Sequence, residues 1–202
     1  MRSITCICEN SFEADLPEEI DLDAEPGRIE QILGKDFFVL SCPSCGTKLE
    51  PELRVRFLSR KRSLDLVVIP ELERVSLYRG KVALPKTSTV LVGYNELRER
   101  IRMLADDLDP ESIEILKYFL LLKAEEASPD SEISVLYSGS EKGELIFHIR
   151  GIKEGETAVA RIGRDMYDAA ASGKARTMRT EPFDRMFAGP YRSVRSLEAE
   201  ED

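Results

Sequence analysis

Ser41-Cys42-Pro43-Ser44-Cys45-Gly46 is the stretch on which the fold of this chain turns. A C-x-x-C spacing on a tight turn aims two thiolates at one metal ion. Pro43 fixes its own φ and stiffens the turn. Gly46 supplies the left-handed conformation that lets backbone N–H groups face the sulfurs. Upstream, Cys6-Ile7-Cys8 offers a second pair, as C-x-C rather than C-x-x-C. Its bite is shorter and no proline stiffens it. Asn10 is the residue expected there in the positive-φ conformation that glycine takes after the other pair. Cys6, Cys8, Cys42 and Cys45 together complete a tetrahedral four-cysteine shell for one structural Zn²⁺, with Zn–S bonds of about 2.3 Å. Such a site contributes roughly 10–16 kcal/mol of apparent binding energy that couples to folding. A unit as small as residues 3–60 needs that help.

Two other readings stand beside zinc. One is four reduced, unligated cysteines. The other is redox chemistry, because a C-P-x-C pair also serves thiol–disulfide exchange. A redox pair wants a helix N-terminus behind it, and Pro51, soon after Gly46, argues against a helix there.

The wider composition narrows the classes. With 202 residues and 42% hydrophobic content, the chain suits one ordinary domain or two small ones with a real core. A net charge of −9 repels phosphate backbones and disfavours sequence-independent nucleic-acid binding by the whole protein. Met1 to Cys6 has no apolar leader segment. The longest apolar run, Tyr118-Phe119-Leu120-Leu121-Leu122, is far short of the ~20 residues of a membrane span. These features predict a soluble, cytoplasmic protein with no membrane association. In a reducing cytosol, clustered cysteines act as metal ligands more readily than as disulfides.

The pattern predicts an α+β chain: an N-terminal zinc-ribbon-like β unit, then two helices, then a small C-terminal α/β unit. Pro26 opens a short helix that Gly34 ends. Phe37 to Ser41 and Leu64 to Ile69 read as strands, and Thr87 to Val92 as another. Arg74 to Val82 is ambiguous. Asn95 caps a helix reaching Leu108, and Asp109 with Pro110 opens the next, ending near Ala127. The second helix reads as central, with Ile113, Leu116, Phe119, Leu120 and Lys123 on its inner stripe. Residues 133–137 and 144–149 form strands joined by a loop over 138–143, followed by a strand at 157–162 and a helix over 164–172. The domains predicted are 1–126, with its zinc-ribbon-like part at about 3–60 and its helical part at about 94–126, a β-rich α+β unit at 130–173, and a mobile tail at 174–202.

At the cysteines the chain resembles the CpXC family of prokaryotic proteins. Thr5-Cys6-Ile7-Cys8 and Ser41-Cys42-Pro43-Ser44-Cys45-Gly46 fall where that family has its two C-P-x-C motifs. The segment from Gly34 to Leu40, the run Leu66 to Pro70 and the stretch Tyr94 to Arg102 also look similar. The likeness covers roughly residues 3–126, and Cys6-Ile7-Cys8 departs from the motif by one residue and a proline. The resemblance implies zinc-ligating cysteines and carries no assigned biochemical role.

Other candidates are weaker. His148, the single histidine, reads as a strand residue rather than a catalytic base, because no nucleophile can be set beside it. Ser–His–Asp and Cys–His catalysis both depend on this one histidine, so hydrolase readings are weak and an enzyme is not favoured. Asp106-Asp107-Asp109 and Glu125-Glu126 read as solvated helix ends rather than hard-metal ligands. Arg54, Arg56, Arg60, Lys61 and Arg62 form a basic stretch that suits an acidic partner or nucleic acid, or a solvated strand face. Arg176 to Arg195, with Phe183, Phe187 and Tyr191 interleaved, reads as an unstructured tail or as a segment that orders on a partner. The preferred function is a non-enzymatic binding or regulatory protein with a protein partner. A thiol redox switch or oxidoreductase, and a nucleic-acid-binding zinc ribbon, are the alternatives.

Overall fold

The computed structural model describes residues 1–34, 36–85, 87–129 and 131–200. The chain is mixed α and β, with several small sheets and six α-helices among the described residues. It divides into two compact units, Met1–Arg98 and Glu99–Asp202. The sequence pattern predicts the division near residues 126–130. The long helix at 110–127 buries its stripe against strands of the second unit.

In the first unit, β1 (Arg2–Thr5) pairs antiparallel with β2 (Ser11–Ala14). β3 (Glu19–Asp21) leads into α1 (Gly27–Gly34), which Pro26 precedes. β4 (Leu40–Ser41) and β5 (Lys48–Leu49) make a second short antiparallel hairpin. Then come β6 (Val55–Ser59), β7 (Leu64–Ile69), α2 (Arg74–Tyr78), β8 (Thr89–Val92) and the start of α3 (Gly93–Ala105), whose residues from Glu99 on belong to the second unit. The main sheet runs β3-β6-β7-β8. Its outer pairings are parallel and the central β6–β7 pairing is antiparallel. Along β6, alternate residues Val55, Phe57 and Ser59 are buried, as the two-residue strand period requires. The last four residues of β7 are all buried, which fits an inner strand covered on both faces.

Three details depart from the sequence reading. Of the strand expected over 37–41, only Leu40–Ser41 forms. Phe37 and Phe38 turn inward instead, their rings stacked at 4.1 Å, with Phe37 edge-on to Tyr94 at 5.2 Å. Aromatic burial there outweighs strand pairing, and Phe38 accepts a φ of 54° to achieve it. α3 starts before Asn95, because other side chains take N–H groups at and just before its start. Glu52 Oε1 accepts from Tyr94 N at 3.0 Å, and Glu96 Oε2 accepts from Val92 N at 2.8 Å. The ambiguous stretch from Arg74 begins as α2, and the buried Arg74 guanidinium donates to Glu71 and, at 2.9 Å, to Glu96.

In the second unit, Asp109 caps α4 (Pro110–Ala127) by accepting from Ser112 N at 2.9 Å. β9 (Ser134–Glu141), β10 (Glu144–Arg150) and β11 (Thr157–Gly163) form an antiparallel sheet in the order β11-β10-β9. The loop expected over 138–143 shrinks to Lys142-Gly143, both at positive φ, which is the two-residue hairpin turn that matches strand twist. α5 (Arg164–Thr177) and α6 (Phe183–Met186) follow. The core gathers Val135, Tyr137, Leu145, Phe147 and Ile149 from the sheet against Ile113 and Leu116 of α4 and Tyr167 of α5.

The stretch expected to be a mobile tail is built into this unit as far as it is described. Phe183, Met186, Phe187 and Val194 are buried with Ile115, and the Tyr118 and Phe183 rings meet at 4.9 Å. A second apolar face on α4 gives these residues something to cover. Residues 201 and 202 lie outside the described residues. α4 itself is not apolar inward throughout. Phe119 is 50% exposed and Lys123 is exposed, whereas Glu114 and Lys117 are buried. No helix among the described residues is long and apolar enough to cross a membrane.

Candidate metal centre

Cys6 and Cys8 sit in the turn joining β1 to β2, and Cys42 and Cys45 in the turn joining β4 to β5. Both turns are closed by backbone bonds that reach back to the first cysteine. In the short knuckle, Glu9 N donates to Cys6 O at 2.9 Å, and Cys6 N donates to Asn10 O at 3.0 Å. In the longer one, Gly46 N donates to Cys42 O at 2.9 Å, and Cys42 N donates to Thr47 O at 2.9 Å. One residue fewer between the cysteines therefore gives a turn one residue tighter.

Each turn exits through a left-handed residue directly after its second cysteine. Gly46 has φ of 74° in the second knuckle, as expected. In the first knuckle the residue is Glu9, at φ 65°, and not Asn10. The shortened turn moves the positive-φ position one place forward. Asn10 instead reaches across to the other knuckle, where its side-chain Nδ2 donates to Cys42 Sγ at 3.8 Å.

The two knuckles bring all four predicted residues into one cluster. Their sulfurs lie within 4.8 Å of one another. Cys6 Sγ is 3.6 Å from Cys45 Sγ, and Cys8 Sγ is 3.7 Å from Cys42 Sγ. Cys6 and Cys42 are buried, and Cys8 and Cys45 are exposed. Arg2 anchors the first hairpin by donating to Arg54 O at 2.9 Å and to Pro17 O at 3.3 Å. Tyr94 anchors the chain leaving the second: its hydroxyl donates to Pro51 O at 3.0 Å and accepts from Leu53 N at 3.1 Å.

The thiols are electrostatically unequal. Cys45 is pulled down to about 6, first by its hydrogen bond with the Thr47 side chain, 3.1 Å away, and next by the Thr47 backbone N–H. Cys42 is also lowered, chiefly by the backbone N–H of Cys45. Cys6 goes the other way, to about 12. The Cys8 N–H favours its thiolate, but burial and the three neighbouring sulfurs together outweigh that bond. Cys45 and Cys42 thus give up their protons before Cys6 does. Four soft sulfur donors, with no carboxylate or imidazole in the group, suit a thiophilic ion and not Mg²⁺ or Ca²⁺. The cluster can hold a metal ion.

Neither cysteine pair leads into a helix: β2 follows the first and β5 the second. The basic stretch is largely neutralised. Arg54 pairs with Glu73 at 2.8 Å, Arg56 with Asp65 at 2.9 Å and Glu19 at 3.3 Å, and Arg62 with Asp23 at 3.8 Å, while Arg60 and Lys61 are exposed. His148 lies on the outer face of β10, between Leu136 of β9 and Val159 of β11. Asp109 caps α4 and binds Lys174 at 2.8 Å, and Asp106 accepts from the Tyr137 hydroxyl. These acids hold the fold together.

Sequence reasoning missed Asn10 and Thr47 beside the sulfurs, since a polar residue flanking a cysteine carries no pattern of its own. It also missed a buried ionic cluster in the second unit. Lys117 Nζ lies 2.8 Å from Glu114 and 3.0 Å from Glu99. The remaining carboxylate oxygens accept from Tyr137 N at 2.6 Å and Val194 N at 2.8 Å. A lysine amid the apolar run of α4 was the available signal.

A family model described as "CpXC protein" matches residues 4–117, a span that holds all four cysteines. A protein of Treponema pallidum (strain Nichols), described as uncharacterized, is 27% identical over 219 residues of alignment covering 98% of each chain. No solved structure matches the chain. With more than half of its length matched, including both knuckles, the chain belongs to the CpXC family.

Proposed function

We propose that Cys6, Cys8, Cys42 and Cys45 ligate one structural Zn²⁺, and that the protein is a non-enzymatic binding or regulatory protein. The observation that carries this reading is the spacing of the sulfurs. Four ligands at about 2.3 Å in a tetrahedron lie about 3.8 Å apart. The short pairs here are 3.6 and 3.7 Å apart, and all six pairs lie within 4.8 Å. Two hairpin-tip knuckles closing on one ion make a zinc-ribbon-like arrangement. With four thiolates as ligands, no coordination position is left for water or substrate, so the metal shapes a surface and performs no chemistry.

The partner is a protein, in the cytoplasm. A nucleic-acid partner is disfavoured, because phosphates would have to displace the carboxylates already paired with Arg54, Arg56 and Arg62. The test is metal analysis and native mass spectrometry of carefully reduced full-length protein. About one equivalent of zinc is expected. Less than half an equivalent, or an ion other than zinc, overturns the assignment.

A further inference from the structure

The sulfur cluster is not symmetric. Two close contacts run between the knuckles, and each joins an exposed cysteine to a buried one: Cys45 Sγ to Cys6 Sγ at 3.6 Å, and Cys8 Sγ to Cys42 Sγ at 3.7 Å. That is the arrangement of a reactive and a resolving thiol, provided twice. An exposed sulfur meets a dissolved oxidant, and a buried neighbour already lies close to the atom it must attack. A bond within the short knuckle is less favourable. A Cys6–Cys8 bond would have to close across a single residue, inside a turn already tight enough to put Glu9 at positive φ.

We propose that small hydroperoxides modify this protein by cross-linking its two knuckles, with Cys45 bonding to Cys6 and Cys8 to Cys42. The exposed thiolate attacks the terminal peroxide oxygen. The O–O bond breaks, the alcohol or water leaves, and a sulfenic acid remains on Cys45 or Cys8. The buried thiolate then attacks that sulfur; the S–S bond forms and hydroxide departs, taking a proton as water. Per pair, two thiols and one hydroperoxide give one disulfide, one alcohol (water from hydrogen peroxide) and one water. Two electrons pass to the O–O bond. Closing both bonds leaves no thiolate to hold a metal ion, so the modification also regulates the centre proposed above, on which it rests.

The test uses full-length protein whose zinc content has first been measured. It is exposed to two equivalents of hydrogen peroxide, blocked with a thiol alkylator and digested with trypsin. Cys6 and Cys8 then lie in peptide 3–28, and Cys42 and Cys45 in peptide 36–48. The expected product is the two peptides joined, with electron-transfer fragmentation assigning Cys6–Cys45 and Cys8–Cys42. Separate peptides with internal disulfides overturn the proposal. So do the opposite pairing, Cys6–Cys42 with Cys8–Cys45, and recovery of sulfinic acids or unreacted thiols in place of the cross-link. Absence of zinc at the outset sinks the metal assignment alone, because the bond map can still be read on the metal-free chain.

Discussion

Two clusters of ionisable side chains drawn together from distant segments are completed in opposite ways. In the second unit, Glu99, Glu114 and Lys117 close on themselves: the ammonium sits between two carboxylates, and backbone N–H groups of Tyr137 and Val194 take the remaining oxygens. In the first unit, Asn10 and Thr47 lend the four sulfurs side-chain hydrogen bonds, and two of the four cysteines are exposed. A buried ionic cluster carries its counter-charge within the chain. A cluster of four thiolates would need its counter-charge from outside, since negative sulfurs this close repel one another. One unit can therefore be complete as a polypeptide, whereas the other, if the four cysteines hold the proposed zinc, draws its counter-charge from the ion.

The largest expected effect separates the units on that basis. Stripping the metal with a strong chelator removes a contribution of roughly 10–16 kcal/mol at a structural zinc site. Hydrogen exchange should accelerate in residues 3–50 and remain slow in the β9–β10 strands. Equal loss of protection in both units, or no change in either, breaks the contrast.

The ionic cluster fails in a different way. Lys117→Met leaves two carboxylates buried without their cation, and removal of one partner from a buried pair costs about 3–5 kcal/mol. The expected result is a large drop in denaturation midpoint with zinc content unchanged. A drop below about 1 kcal/mol, or loss of zinc, would mean that the two clusters are not separate devices.

A smaller effect appears with pH. Burial pushes Glu99 up to about 7: Lys117 favours its ionised form, but the neighbouring Glu114 opposes it. An unfolded glutamate titrates near 4.3, so the folded state holds a proton that the unfolded state has already lost. Stability from this group is therefore fully present below about 4.3 and is lost as pH rises toward 7, at no more than about 1.4 kcal/mol per unit. Glu99→Gln keeps an acceptor for the Tyr137 N–H and cannot titrate. Its stability should change less between pH 5 and 7 than that of the unsubstituted protein, and parallel pH profiles would refute the role of Glu99.

The same contrast explains what could be read from the sequence. Cys42-Pro43-Ser44-Cys45-Gly46 announces its geometry locally, because the bite of two thiols, the fixed φ of proline and the freedom of glycine lie within five residues. Strands β7 and β8, the Asp109 cap and the β9–β10 pair likewise follow from short-range pattern. The ionic cluster was illegible, since Glu99, Glu114, Lys117, Tyr137 and Val194 have no fixed spacing and meet only after the second unit has packed. The burial of Phe183 and Phe187 was hidden for the same reason. Their apolar character was visible, but the face of α4 that receives them was not.

The smallest effects should come from the backbone of the two knuckles, and there the sign is the informative part. Gly46 and Glu9 occupy equivalent positions at φ 74° and 65°, one in a residue that adopts this region freely and one in a residue that does not. A Cβ at Gly46 would meet no atom within 4 Å, so Gly46→Ala carries only the conformational cost, about 1 kcal/mol. Glu9→Gly removes a comparable strain, offset in part by the greater freedom of glycine in the unfolded chain, for a net gain of a few tenths to about 1 kcal/mol. Competition with a chelator of known affinity reads both. The first substitution should weaken metal retention about fivefold, and the second should leave it unchanged or strengthen it up to about fivefold. Weaker retention in both variants would mean that the short knuckle depends on the Glu9 side chain rather than tolerating it, and the equivalence of the two turns would end at their backbone.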